Sequence, residues 1–184
     1  MIVYAIRCKD ARKLAYHLLA WAAGQHWGME KLPEVAREER GKPYFPQFPN
    51  CRFNVSHSGD LAVCALSDQP VGVDIQTVRQ RREKLMDRVC SADEREWLRR
   101  RGDRAEDFSV LWALKESRCK QSGEGLRLPL SGLSVPLPEE EEKILEWEEL
   151  RFWLAQGADW RFALCGSGDW DGIIHWIDPE NLDN

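Results

Sequence analysis

Residues 53–60, FNVSHSGD, carry groups that suit phosphate oxygens. A strand that runs into Ser-His-Ser-Gly offers hydroxyls, backbone N–H groups and the imidazole of His57. Two other interpretations stay open: His57 can be a turn residue without a ligand, or it can belong to a Ser-His-Asp triad with Asp60. Three residues so close in one turn are poorly placed for a base and the group that orients it, so we disfavour acyl-transfer chemistry.

Residues 71–76, VGVDIQ, predict a strand with one acidic side chain. Because strand side chains alternate between faces, Asp74 lies opposite the valines, with Gly72 and Gln76 on its own face. If the valines pack into the core, Gly72 leaves room for something to approach Asp74. A lone aspartate on a strand is a weak signal, and an ordinary half-exposed strand is the plainer interpretation.

Residues 108–120, FSVLWALKESRCK, predict an apolar helix with a charged cluster towards its end. Glu116 and Lys120 lie one turn apart on the same face. On an arbitrary helix they would be a weak surface ion pair, but charges that emerge from so apolar a helix favour a buried helix entering a cleft. Lys115 falls on the apolar stripe, so it must extend its charge to solvent or meet an anion.

Hydrophobic spacing and turn signals predict the elements that position these residues. The predicted strands cover residues 2–7, 52–56, 61–66, 71–76, 150–154, 160–165 and 172–176. The first predicted helix has Asp10 as its N-cap and runs to Ala23. The second begins at a capping box at residues 91–94 and runs towards Arg100. The third runs from Glu106 to Gln121 and is terminated by Gly123. We predict loop for residues 28–50. Strands, then helices, then strands again indicate an α+β fold with mostly antiparallel sheet.

Composition narrows the class of protein. The chain has 184 residues, 43% hydrophobic and 31% charged, which suits one folded unit with a real core. A net charge of -5 disfavours general nucleic-acid binding. We expect no signal peptide, because the apolar stretch at residues 1–6 is short and Arg7 follows it at once. We expect no membrane span, since no apolar run approaches ~20 residues. Six cysteines without zinc-ligand or CxxC spacing indicate reduced thiols in the cytoplasm.

In their order and spacing, these segments resemble the surfactin-synthetase-type 4'-phosphopantetheinyl transferase family. The matching strings are GKP at 41–43, FNVSHSG at 53–59, GVDI at 72–75, WALKESRCK at 112–120 and GEGL at 123–126. The GKP string is not a Walker P-loop, because the GxxxxGK[ST] spacing is absent. The resemblance covers about residues 42–135, and although each string alone is modestly specific, their order makes coincidence improbable.

The resemblance implies a pseudo-twofold α+β fold of two related α/β halves, about residues 1–78 and 79–184, in a single transferase unit with the active site between them. It implies coenzyme A as co-substrate and Mg²⁺ held by Asp74 and Glu116. It further implies catalytic roles for Asp74, Glu116 and Lys120. The implied coenzyme-binding residues are Lys42, Pro43, Ser56, His57, Lys115 and Lys120, with Arg12 and Lys13 as candidates for the 3'-phosphate. Lys115 is open to a structural interpretation as well.

One departure concerns the third metal ligand. Many relatives have an acid at the position of Gln76, where this chain has a neutral amide. Gln76 can coordinate through its carbonyl oxygen, act through a water, or take no part in the metal site.

The implied activity moves 4'-phosphopantetheine from coenzyme A to a serine of an apo acyl or peptidyl carrier protein, releasing 3',5'-ADP. We expect a cytoplasmic monomer, since a chain with both halves need not self-associate. The arginine-rich stretches at 79–82 and 99–101 are candidates for docking the carrier. Two rivals are a Mg²⁺-dependent enzyme for another nucleotide pyrophosphate, and a coenzyme A or carrier-binding module without catalysis.

Overall fold

The chain folds into two four-stranded sheets, a small hairpin and four α-helices, and the computed structural model describes residues 1–79, 83–125, 129–139 and 142–183. The strands are β1 (Ile2–Arg7), β2 (Ala36–Arg37), β3 (Pro43–Tyr44), β4 (Arg52–Ser58), β5 (Leu61–Ser67), β6 (Val71–Thr77), β7 (Ile144–Trp147), β8 (Leu150–Gln156), β9 (Trp160–Gly166) and β10 (Ile174–Trp176). The helices are α1 (Ala11–Trp27), α2 (Glu83–Val89), α3 (Ala92–Arg100) and α4 (Ala105–Ser122), with 3-10 turns at Leu130–Gly132 and Pro179–Asp183. The predicted α+β class is confirmed.

The two large sheets repeat one connection. The first has the strand order β10-β1-β5-β4 and the second β6-β9-β8-β7. In each sheet, a strand is followed by helical chain and then by an antiparallel hairpin. The second strand of the hairpin pairs back with the strand before the helices: β5 with β1 in one sheet, and β9 with β6 in the other. Pairing is antiparallel as expected, except that the short β10 runs parallel to β1. Between the sheets, the backbone N–H of Val73 donates to Asn54 Oδ1 at 2.9 Å, which links β6 to β4.

Three apolar clusters hold these layers. Helix α1 packs on β1, β4 and β5, and α4 packs on the second sheet with α2 and α3. The third cluster lies between the two sheets and includes Val71, Val73 and Ile75 of β6. The valine face of β6 is therefore buried as predicted, and its other face meets α4.

Gly72 determines how closely α4 approaches β6. A Cβ on Gly72 would overlap the backbone of Ser117 and Gln121 in α4. Because glycine has no side chain, the helix lies directly against the strand, two residues from Asp74. This contact brings Glu116 and Lys120 of α4 to the Asp74 face of β6.

The helix boundaries differ from prediction mainly at α1. Asp10 makes no side-chain capping bond, and its carboxylate pairs with Lys13 at 3.0 Å. The helix continues to Trp27 and ends at Gly28 in the left-handed conformation (φ 67°), four residues beyond the predicted end. The predicted loop also contains the β2–β3 hairpin.

Other boundaries agree with the sequence. Ser91 Oγ accepts the N–H of Glu94, and Glu94 Oε2 accepts the N–H of Ser91, so the capping box at α3 is confirmed. Gly123 ends α4 with φ 75°. All six cysteines are free thiols. None of the helices described is both long and apolar enough to cross a bilayer.

Candidate active site

The centre of the site is the buried carboxylate of Asp74, which is 1% exposed. Its Oδ1 accepts hydrogen bonds from Ser56 Oγ and from Lys120 Nζ, each at 2.6 Å. The Lys120 ammonium also donates to Ser56 Oγ at 2.9 Å and to the carbonyl of Val73 at 3.2 Å. Side chains from β4, β6 and α4 therefore converge on one point between the two sheets.

Gln76 completes the contacts of Asp74. Its Nε2 donates to Asp74 Oδ2 at 2.6 Å, so both carboxylate oxygens have hydrogen-bond donors. The amide nitrogen of Gln76, rather than its carbonyl oxygen, faces Asp74 in this arrangement. Direct coordination of a cation by Gln76 would require the amide to turn over, because only the oxygen is a metal ligand.

Glu116 is the second carboxylate of the site. It is 7% exposed, and among the described residues none donates a hydrogen bond to it. The pKa of Glu116 is raised to about 7: burial is the largest cause, the negative charge of Asp74 also raises it, and the positive charge of Lys120 opposes both effects. A buried carboxylate without a donor, within the electrostatic reach of a second carboxylate, is a group that a cation would stabilise.

The donor set limits which cations fit. Within the described ranges, no group of three or more His, Cys, Asp or Glu side chains is placed to hold a metal ion. Asp74 and Glu116 provide two carboxylates, and any further ligands must come from an amide, water or substrate. Mg²⁺ fits such a set, because it binds through one or two carboxylates together with phosphate oxygens and waters.

A pocket of about 460 Å³ opens beside these carboxylates. Most of its polar lining is cationic or can become so: Arg12, Arg37, Arg40, Lys42, His57 and Lys120. Glu116 is the one acidic side chain among the described residues that line it. The volume lies in the range of small-molecule sites, and the charge favours an anionic ligand such as a nucleotide diphosphate.

Several predicted ligand-binding residues reach this pocket. Arg12, Lys42, Pro43 and His57 line it, and burial lowers the pKa of His57, as do the charges of Arg12 and Lys120. Lys13 is not among the lining residues, and it pairs with Asp10 at the surface.

The triad interpretation is not supported. Asp60 Oδ2 lies 3.3 Å from Arg7 Nε in an ion pair at the surface, and His57 belongs to β4 rather than to the turn. Among the described side chains, Asp60 makes no hydrogen bond or ion pair with His57 and so does not orient it.

Lys42 has a second set of partners. Its Nζ donates to the carbonyl of Gln121 at 2.5 Å and approaches that of Val71 at 3.5 Å. A Cβ on Gly123 would lie 3.2 Å from Lys42 Cδ, so the lysine stem lies across the end of α4. Lys42 thus satisfies a carbonyl in the last turn of α4 and ties the GKP loop to both β6 and α4.

Lys42→Met should therefore lower the free energy of unfolding by about 1 kcal/mol, because the Gln121 carbonyl loses its donor in a half-buried position. Urea unfolding of the variant measures this, with the exposed Lys31→Met as the matched control. If Lys42→Met unfolds like the parent chain but binds coenzyme A more weakly, the ammonium acts on the ligand and not on the helix end.

Lys115 lies away from the pocket. Its side chain is fully buried, and its Nζ contacts Glu94 Oε2 at 2.7 Å and the carbonyls of Leu130 and Leu133 at 2.6 and 2.9 Å. The same Glu94 oxygen closes the capping box of α3. These contacts favour the structural interpretation of Lys115, and we do not include it among the ligand-binding residues proposed below.

Three residues of the site were not predicted from the sequence. Asn54 links β4 to β6, and Arg37 and Arg40 bring two more cations to the pocket from the β2–β3 hairpin. The charged composition of residues 36–42 was visible in the sequence, but a loop without periodicity gives no direction for its side chains. Their position follows from the pairing of Ala36 with Tyr44 and of Arg37 with Pro43.

The raised pKa of Glu116 predicts that the metal-free protein loses folding stability as the pH rises. Below pH 4.5 the carboxyl is protonated in the folded and unfolded states alike, so no cost arises. As pH rises towards 7 the unfolded state ionises first, and stability falls until the folded pKa is passed. Glu116→Gln should therefore be more stable than the parent chain at pH 8, by about 3 kcal/mol, with a smaller difference at pH 5.

Urea unfolding at pH 5 and pH 8 in the presence of a chelator tests this, with the exposed Glu39→Gln as control. Adding Mg²⁺ should stabilise the parent chain at pH 8 and leave Glu116→Gln nearly unchanged. If the parent chain and Glu116→Gln differed in free energy of unfolding by the same amount at pH 5 and pH 8, the raised pKa of Glu116 would be contradicted.

Comparison with known proteins places the chain in a family. Residues 70–165 match the model of the 4'-phosphopantetheinyl transferase superfamily. A 4'-phosphopantetheinyl transferase of Bacillus subtilis is 37% identical over 126 residues, which cover 67% of this chain and 56% of that protein. The 4'-phosphopantetheinyl transferase Sfp of Bacillus subtilis (strain 168) is 37% identical over 111 residues, covering 59% and 50%. The 4'-phosphopantetheinyl transferase AcpT of Salmonella typhimurium is 35% identical over 114 residues, covering 56% and 58%.

The matched region has a clear relation to the site. It begins next to β6 and ends in β9, so it contains Asp74, Glu116 and Lys120. The chain spans about half the length of the curated relatives it matches. The resemblance inferred from the motifs is confirmed, and the chain belongs to the 4'-phosphopantetheinyl transferase superfamily.

Proposed function

We propose that this protein transfers the 4'-phosphopantetheine arm of coenzyme A to a serine of an apo acyl or peptidyl carrier protein. The observation that carries the proposal is the convergence of Asp74, Glu116 and Lys120 at the edge of a cationic pocket. Relatives of similar sequence have the name of this activity.

The cationic pocket would hold coenzyme A. Its phosphates need positive partners, which Arg12, Arg37, Arg40 and Lys120 can provide. Within the described part of the chain, Lys120 is the only one of these four in an ion pair, with Asp74. His57 and Ser56 add an imidazole and a hydroxyl at the same end of β4. Ser56 is already bonded to Asp74, so a phosphate there would lie next to the carboxylates.

Asp74 and Glu116 would hold Mg²⁺, with Gln76 contributing through its carbonyl oxygen or through a water. The cation would neutralise charge on the diphosphate of the donor. Glu116 fits this role because its carboxylate is buried and lacks a donor among the described residues. Asp74 fits because it lies at the junction of β4, β6 and α4, where three elements fix its orientation.

In the proposed reaction the serine oxygen of the carrier forms a bond to the phosphorus next to pantetheine. The bond from that phosphorus to the bridging oxygen breaks, and the oxygen leaves as part of 3',5'-ADP. Lys120 would offset the charge that grows on the bridging oxygen. The serine proton needs an acceptor, and the two candidates are Glu116 and a water molecule beside the cation. A carboxylate that holds Mg²⁺ is a weak base, which counts against Glu116.

The arrangement of the halves is proposed as pseudo-twofold. A strand, helical chain and an antiparallel hairpin recur in the two sheets with the same order of pairing. Because β6 pairs with β9, this repeat favours a boundary near Pro70, slightly ahead of the residue 78 predicted from the sequence. A cytoplasmic monomer remains our prediction for the whole protein.

A mass-shift assay tests the activity. The purified protein is incubated with coenzyme A, Mg²⁺ and a panel of apo acyl and peptidyl carriers, and each carrier is weighed by mass spectrometry. We expect one carrier class to gain one phosphopantetheine group. Replacing coenzyme A by ATP, NAD or dephospho-coenzyme A distinguishes an enzyme for another pyrophosphate. Coenzyme A binding without modification of any carrier would contradict the transferase and favour a binding module.

A further inference from the structure

One tyrosine lines the cationic pocket in a position that no described contact of the protein explains. Tyr16 of α1 is 39% exposed, and within the part of the chain that the structure describes its phenol makes no hydrogen bond and its ring meets no other ring. The other large apolar side chains that are this exposed lie outside the pocket: Phe48, Ile144, Ile173 and Trp176. Tyr16 is therefore the exposed aromatic ring that a ligand of this pocket would meet.

The pocket has an apolar part as well as its cations. The apolar side chains in its lining come from four elements of the fold: Ala15 and Tyr16 from α1, Pro43 from β3, Val55 from β4 and Cys119 from α4. Phosphate oxygens need the cations and gain nothing from an aromatic ring. A nucleobase does gain from it, because every base has an apolar π-face that can stack. The lining therefore favours a nucleotide over a simple anion.

The direction of α1 sets the order of groups along the pocket. Strand β1 ends beside the end of β4, because Arg7 and Ser58 both pair with Leu61. Helix α1 starts directly after β1 and packs back onto the same sheet, so it runs antiparallel to β4. Its first turn therefore lies near the end of β4, and its next turns lie nearer the middle of that strand.

Arg12 and Tyr16 lie on one face of α1, one turn apart. Burial lowers the pKa of His57, and the charges of Arg12 and Lys120 lower it as well, which agrees with a position of both cations at the His57 end of the pocket. Tyr16 lies about 6 Å further along the helix axis, towards the part of β4 that provides Val55 to the lining.

The His57 end of the pocket is also the end nearest the carboxylates. Lys120 lines the pocket with Glu116 and donates to Asp74 at 2.6 Å. A diphosphate held by Lys120 and Arg12 would thus have its nucleoside directed along α1 towards Tyr16. One helical turn is comparable with the reach from the 5'-phosphate of a nucleotide to its base, so the base would lie at the tyrosine ring.

We propose that Tyr16 stacks on the nucleobase of the donor and makes the pocket selective for a nucleotide over other diphosphates. The proposal rests on the proposed transferase function, because that function makes coenzyme A, with its adenine base, the donor. Stacking on an aromatic ring tolerates different bases, so Tyr16 selects for the presence of a base and not for its identity.

Calorimetry with 3',5'-ADP tests the stacking. Tyr16→Ala should raise the Kd of 3',5'-ADP about tenfold, because the stacking of a base on an aromatic ring contributes affinity of that order. Tyr16→Phe should stay within about twofold of the parent chain, since it keeps the ring and loses only the hydroxyl. The matched control is His17→Ala, which removes an exposed ring from the next residue of α1, outside the pocket lining. Circular dichroism shows whether each variant folds.

Two further measurements separate stacking from charge. Inorganic pyrophosphate has no base, so Tyr16→Ala should bind it as the parent chain does. The loss for 3',5'-ADP should be the same at low and high salt, because salt does not screen an uncharged contact. The loss caused by Arg12→Ala should instead shrink at high salt, because screening weakens the phosphate contact in the parent chain as well.

The outcomes separate this proposal from the proposed function. If the parent chain and Tyr16→Ala bind 3',5'-ADP equally well, the stacking is wrong, and carrier loading by the parent chain still decides the transferase on its own. If Tyr16→Phe loses as much affinity as Tyr16→Ala, the phenol oxygen and not the ring contacts the ligand, and the proposal is overturned. An equal loss for pyrophosphate overturns it too. If the parent chain binds neither 3',5'-ADP nor coenzyme A, the stacking and the proposed donor are both wrong.

Discussion

Asp74→Asn should lower the rate of phosphopantetheine transfer by about a thousandfold or more, because the variant keeps the shape of the side chain but loses its charge. Asp74 is buried and receives donors from Ser56, Gln76 and Lys120. The amide of asparagine can accept at one atom only, so one of these donors loses its partner. A neutral amide also binds Mg²⁺ far less strongly than a carboxylate.

Mass spectrometry of the carrier at saturating coenzyme A, as a time course, measures the rate. The matched control is Asp68→Asn, an exposed aspartate of the turn before β6, which should leave the rate unchanged. Circular dichroism of both variants separates a lost activity from a lost fold. Carrier loading at the parent rate by folded Asp74→Asn would remove Asp74 from the proposed mechanism.

Lys115→Met should destabilise the fold by about 3–5 kcal/mol, the cost of breaking a buried ion pair by removing one partner. Glu94 would be left buried without its cation, and the carbonyls of Leu130 and Leu133 would lose their donor. The helix that carries Glu116 would lose its tie to α3. We therefore expect a lower stability together with a lower kcat, and little change in the affinity for coenzyme A.

Urea unfolding provides the measurement, and the exposed Lys143→Met is the control. Adding Glu94→Gln to Lys115→Met should restore part of the lost stability, because the uncompensated charge is then gone. If Lys115→Met is as stable as the control but fails to bind coenzyme A, the lysine serves the ligand as the sequence resemblance first implied.

The sequence predicted most elements because their signals are local. The alternation in β6, the capping box at Ser91 and the left-handed glycine that ends α4 each depend on a few neighbouring residues. The end of α1 was predicted too early: Gly24 follows the predicted end at Ala23, but the helix runs through Gly24 and ends at Gly28, which has the left-handed conformation. The parallel pairing of β10 with β1 was not predicted, because the two strands are separated by nearly the whole chain.

The sequence by itself determined the chemistry available to this protein: an aspartate on a strand, and a glutamate and a lysine one helical turn apart. It also determined the resemblance to a family whose motifs contain these three residues. Only the tertiary structure decided which lysines lie at the cationic pocket. Lys120 donates to Asp74, Lys42 donates to the Gln121 carbonyl in the last turn of α4, and Lys115 is buried against Glu94. The physical reason is that a lysine's role depends on the carboxylates and carbonyls within about 3 Å of its ammonium, and long-range packing brings those groups there.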